Sequence, residues 1–144
     1  METADAAGRS ALDRLKQALL YLMGAGYVVA GVLHFVAPKL YVQIVPPSLP
    51  RPLALVYLSG IAEILLGVGV LFRRTRRVAA WGIVALLVAV FPANVYMATS
   101  NVVVEGAPGG GDPSAAARWA RLPLQAVLAL WAWWYTRDPP DEAI

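Results

Sequence analysis

The sequence predicts an all-α membrane protein, a four-transmembrane-helix bundle forming a single domain over residues 1–144. Three observations predict it. The chain is 59% apolar with a mean hydropathy of +0.60, greasier than an ordinary soluble domain of this size. Its apolar residues fall in blocks of about 20, enough to cross a hydrocarbon core of about 30 Å at about 1.5 Å per residue. The connections between blocks are rich in proline, arginine or glycine, which do not continue a lipid-facing helix.

The spacing predicts spans over residues 15–37, 52–72, 78–100 and 115–136. The first ends at Pro38 and is preceded by Ser10, read as an N-cap with Asp13 three residues on, as in a capping box. The connection that follows, "PKLYVQIVPPSLPRP", holds four prolines after Pro38 and is expected to form no regular helix. Its apolar residues Leu40, Tyr41, Val42, Ile44, Val45 and Leu49 place it at the membrane interface. "RRTRR" reads as a tight basic turn between the second and third spans. In the third span, "FPANVYMA" places Pro92 where a helix kinks and frees a carbonyl. "NVVVEGAPGGGDPS" is a flexible loop in which Asp112 and Pro113 read as N-cap and first residue of the fourth helix, which enters the membrane near Trp119. The tail "RDPPDEAI" reads as disordered. The opening "METADAAGRSALDRLKQ" is polar and mixed in charge, without the short apolar run and cleavage site of a leader.

Lys and Arg set the orientation. Arg9, Arg14, Lys16, Arg73, Arg74, Arg76, Arg77 and Arg137 lie on one side; Lys39, Arg51, Arg118 and Arg121 lie on the other. Eight against four makes both termini and the basic turn cytoplasmic, in a multi-pass protein of the cell membrane. The run "WAWWY" then anchors the fourth helix at the cytoplasmic interface.

Composition also excludes function classes. With no cysteine, thiol–disulfide chemistry, iron–sulfur clusters and thiolate metal sites are absent. With one histidine, His34, the chain builds no multi-His metal site. The four arginines read as topology and lipid determinants, and nothing supplies the soluble basic surface with stacking aromatics that nucleic acid requires.

Each span carries a polar residue away from its ends: His34, Glu63, Asn94 and Gln125. Glu63 is the most pointed, because it sits inside "SGIAEILLGVGVLF". A charge at that depth costs at least about 2–3 kcal/mol and is a site hypothesis by default. Glu63 shares a helical face with Tyr57, Gly60 and Gly67, as His34 does with Tyr27 and Gly31, and glycines there admit close approach. Arg118, Arg121 and Gln125 form a face of the fourth helix. Glu63 is expected to pair with Arg121, to hydrogen-bond His34 or Tyr57, or to be carried protonated. The alternative is a polar network that only fixes helix register.

At "GVLHFVAPKLYVQIVPP", "YLSGIAEILLGVGVLFRRTRRVAAWG", "FPANVYMA" and "RLPLQAVLALWAWWY" the sequence resembles the DoxX family of small four-helix membrane proteins, from about Gly24 to Tyr135. The residues matching that family's polar pattern are His34, Pro38, Tyr57, Gly60, Glu63, Asn94, Arg121 and Gln125. The resemblance implies a four-helix bundle. Some members accompany subunits of a thiosulfate:quinone oxidoreductase, some mycobacterial members belong to membrane complexes that handle oxidative stress, and a distant animal branch assists receptor assembly.

The functional expectation is an accessory or small-molecule-binding subunit of a membrane redox system. A pocket of His34, Tyr57, Glu63, Asn94, Tyr96, Arg121 and Gln125 would hold a quinone-like head group or a lipid. His34 would donate to a carbonyl, Glu63 would relay a proton, and Tyr57 and Tyr96 would form walls. No residue is assigned a catalytic role, and electrons come from a membrane partner protein. A non-enzymatic membrane chaperone and a small homo-oligomeric transporter are the alternatives.

Overall fold

The computed structural model describes residues 2–110 and 113–138, which form helices and turns and no strand. The helices are α1 (Glu2–Val36), α2 (Pro38–Val42), α3 (Pro52–Leu71), α4 (Arg73–Thr99) and α5 (Ala115–Tyr135). Three are long and apolar enough to cross a membrane: α1 over Ser10–Val36, and the whole of α3 and α4. α5 is as long, at 21 residues, but Arg118, Arg121 and Gln125 dilute its hydropathy.

Several boundaries differ from expectation. α1 begins at Glu2, so Ser10 lies inside the helix and is not its N-cap. The residues before the apolar block are mostly good helix formers, and none breaks the helix. Pro38 opens the short α2, since a proline at the first helical position lacks only an N–H that would be unpaired anyway. The remainder of that connection is a chain of turns, with Ile44 N–H on Tyr41 O, Val45 N–H on Val42 O and Leu49 N–H on Pro46 O.

The "RRTRR" segment is no turn but the first turn of α4. Only Phe72, in an extended conformation, separates α3 from α4. The reversal works because α4's own side chains satisfy carbonyls at the end of α3: Thr75 Oγ1 donates to Gly69 O at 2.7 Å and Arg76 Nε to Val70 O at 3.0 Å. The cap of α5 is Ser114, whose Oγ accepts from Ala117 N–H at 3.2 Å, with Pro113 ahead of it. Asp112, the expected cap, lies outside the described residues. Of the tail, Arg137 lies over the Trp133 ring at 4.2 Å and Asp138 pairs with Lys16; the rest lies outside the described residues.

α1 packs against α3, α3 against α4 and α4 against α5. α1 and α3 are antiparallel and pressed together at two glycine pairs. A Cβ on Gly31 would lie 2.6 Å from Gly60 O, and one on Gly24 would lie 2.8 Å from Gly67 O. The buried core sits toward the basic end, where Leu20 and Met23 of α1, Val70 of α3, Ala80 and Ile83 of α4, and Ala132 and Tyr135 of α5 converge. Tyr135 Oη closes that end by donating to Lys16 O at 2.8 Å. Among the described residues, α1 and α5 make no close backbone approach. The bundle is therefore held by its core at the basic end and opens toward the proline-rich end.

Candidate functional site

The opening is a cavity of about 530 Å³. Its walls come from α3 (Leu55 to Glu63) and α4 (Leu86 to Asn94), with His34 at the end of α1 and Arg121 on α5. Its roof is the proline-rich segment: Tyr41, Ile44, Val45, Pro46 and Leu49 all line it. Prolines 46, 47, 50 and 52 keep this segment from extending as a helix, so it folds back over the bundle. Gln43 ties the roof to the α4–α5 loop, donating to Glu105 O at 3.1 Å and accepting from Glu105 N–H at 2.8 Å.

The lining is apolar with polar groups gathered in a few places. His34 is the hub. Its Nδ1 lies 2.8 Å from Ala30 O and 3.2 Å from Glu63 Oε2. A carbonyl can only accept, so Nδ1 carries the hydrogen, and a neutral His34 has Nε2 left as an acceptor. Because Nδ1–H is directed at Ala30 O, Glu63 Oε2 is buried without a hydrogen bond despite its proximity to the ring. Tyr41 stacks on His34 with centroids 3.8 Å apart. Burial, and then the Glu63 carboxylate, push the Tyr41 phenol above its ordinary value, so it stays a hydrogen-bond donor at neutral pH.

Asn94 is held from behind. Its Nδ2 donates to Gln125 Oε1 at 2.7 Å, and Gln125 Nε2 donates to Leu87 O. Gln125 is buried, and Leu87 lies in the turns of α4 that precede Pro92. The polar residue of α5 thus bonds the α4 backbone one residue before Val88, whose carbonyl loses its ladder partner at Pro92. Arg121 lines the cavity from an exposed position and points Nη1 at Met97 Sδ, 3.8 Å away.

The structure therefore brings His34, Glu63, Asn94 and Arg121 around one cavity, with Gln125 as the support of Asn94. Glu63 approaches His34, not Arg121 or Tyr57. Tyr57 instead stacks on Phe35 at 5.2 Å, and neither Tyr57 nor Tyr96 is among the lining residues. Sequence reasoning missed Tyr41 as a site residue. Its apolar setting was legible, but its stacking on His34 depends on Pro38 starting a second helix across the end of α1. It also missed the Gln43–Glu105 clasp, which joins segments 62 residues apart. Among the described residues no group of three or more His, Cys, Asp or Glu could hold a metal ion.

A family model described as a domain of unknown function (DUF8561) matches residues 23–136, so the chain belongs to that family. No curated protein and no solved structure matches it.

Proposed function

We propose that this member of the DUF8561 family is a multi-pass protein of the cell membrane with four transmembrane helices and cytoplasmic termini, of DoxX-like architecture. In this reading it binds a small amphipathic molecule, a quinone-like head group or a lipid, as an accessory subunit of a membrane redox system. The observation that carries it is the cavity itself: about 530 Å³ of largely apolar space, within the size range of small-molecule sites, into which His34, Glu63, Asn94 and Arg121 bring polar atoms. The fourth span is supported by the outward face of α5, where Leu124, Val127 and Leu130 are all exposed, as Val29 is on α1, Leu65 on α3 and Val88 on α4. Apolar side chains exposed on every long helix fit a lipid surround.

The polar set favours a hydroxyl-bearing ligand. The Glu63 carboxylate and the His34 ring both line the cavity, and with Nδ1–H on Ala30 O the ring has Nε2 as its acceptor. Both would accept from a ligand hydroxyl, with Tyr41 and Arg121 as the donors. This reverses the expected role of His34 as a donor to a carbonyl. Glu63, in the cavity wall beside His34, is placed to take a proton from such a hydroxyl. Electrons would leave through a partner.

The test is extraction of the purified protein in mild detergent and identification of bound small molecules by mass spectrometry, with Glu63→Gln in parallel. A stoichiometric quinone or lipid that is lost from the variant is expected. An empty wild-type cavity would overturn the reading and turn the search to a protein client.

A further inference from the structure

We propose that the groove where α1 meets the α3–α4 junction, at the opposite end of the bundle from the cavity, binds the phosphate of an anionic phospholipid. The groove has a volume of about 470 Å³ and is lined by Gln17, Tyr21, Leu71, Arg73 and Arg76. Its polar side is built, not merely charged. Arg76 is fixed by Nε on Val70 O at 3.0 Å and by Nη1 at 3.5 Å from Asp138 Oδ2. Gln17 Nε2 donates to Tyr21 Oη at 3.3 Å across the rim. Arg73 stands one turn before Arg76 on the same face of α4, so both cations border one space.

Charge complementarity selects the occupant. Arg73 and Arg76 line the groove, and the Asp138 carboxylate stands beside it against Lys16 and Arg76. The N-terminal end of the α4 dipole adds to the positive side. A phosphodiester is the membrane component that matches paired guanidinium groups. The apolar wall suits the rest of a lipid: Leu71 lies in the groove, and its neighbour Phe72 is 61% exposed. Tyr21, half out of the surface, is the amphipathic side chain found at the headgroup level.

The proposal is tested on the full chain in phosphatidylcholine nanodiscs with or without phosphatidylglycerol. The readouts are native mass spectrometry for retained lipid and thermal unfolding by tryptophan fluorescence. Two variants carry the same charge change: Arg73→Gln in the groove and Arg77→Gln outside it. The expected result is at least a fivefold loss of phosphatidylglycerol preference for Arg73→Gln and less than twofold for Arg77→Gln. Equal losses, or no preference in the wild type, would reduce the site to a diffuse basic surface and overturn the proposal. So would protection by inorganic phosphate alone matching that of the lipid. Quinone content measured on the same samples separates this outcome from failure of the cavity reading.

Discussion

Replacing Gly31 by alanine should cost more than the same change at Gly26, earlier on α1. A Cβ there would lie 2.6 Å from Gly60 O, 2.7 Å from Ile64 Cγ1 and 3.0 Å from Glu63 Cβ. The first partner is backbone and cannot rotate aside. Recovering a separation of 3.4 Å requires α1 and α3 to part by about 0.8 Å, and overpacking of this kind costs about 1–3 kcal/mol. Gly26→Ala is the matched control. It lies on the same helix, gains the same helix propensity of about 1 kcal/mol, and its Cβ meets nothing within 4 Å. The difference between the two variants isolates the packing cost. At about 2–4 °C per kcal/mol for a chain of this size, Gly31→Ala should unfold about 2–12 °C below Gly26→Ala. Intrinsic fluorescence of the five tryptophans in detergent reads this directly, and the absence of cysteine leaves thiol-reactive dyes without a target. Equal midpoints would mean that α1 and α3 do not meet at their glycines, and the placement of His34 against Glu63 would fall with that interface.

Other expectations follow from the same geometry. Tyr41→Phe should keep ligand retention nearer the wild type than Tyr41→Ala, because the stack on His34 survives; an aromatic pair of this kind contributes about 0.5–1.5 kcal/mol, and equal retention in the two would deny the stack a role. Gln125→Leu removes the bonds to Asn94 and to Leu87 O and should destabilise the protein by about 1–2 kcal/mol; an unchanged midpoint in thermal unfolding would count against the Asn94–Gln125 pair. Asp138→Ala breaks a part-exposed pair with Lys16 and should cost no more than about 1 kcal/mol, less than Gln125→Leu in the same assay. Single cysteines placed in this cysteine-free chain at Glu105 and Arg74 should be modified by an impermeant maleimide from opposite sides of intact cells; labelling of both from one side would refute the proposed topology.

The helical, lipid-suited character of the chain was legible because it depends on block length and composition, both local properties. Three spans in the structure, within a few residues at most ends, follow from this alone. Their ends were misplaced where tertiary partners decide them. Arg73 to Arg77 look like a turn because arginines rarely sit in lipid, yet they continue a helix because Thr75 and Arg76 can cap the helix before it. Ser114, not Asp112, caps α5, a choice between neighbouring residues of similar propensity. His34, Glu63, Asn94 and Gln125 were visible as polar residues in apolar surroundings.

What the sequence determined by itself is therefore the list of buried polar groups and the glycines that allow two helices to touch, because each is a departure from a local apolar pattern. The pairing among them belongs to the tertiary structure. Glu63 meets His34 because Gly31 and Gly60 bring α1 and α3 into one antiparallel register. Tyr41 reaches His34 because Pro38 turns the chain. The cavity exists because the core is concentrated at the basic end while prolines fold a roof over the other. These are relations between segments distant in sequence, set by close packing, and no local pattern encodes them.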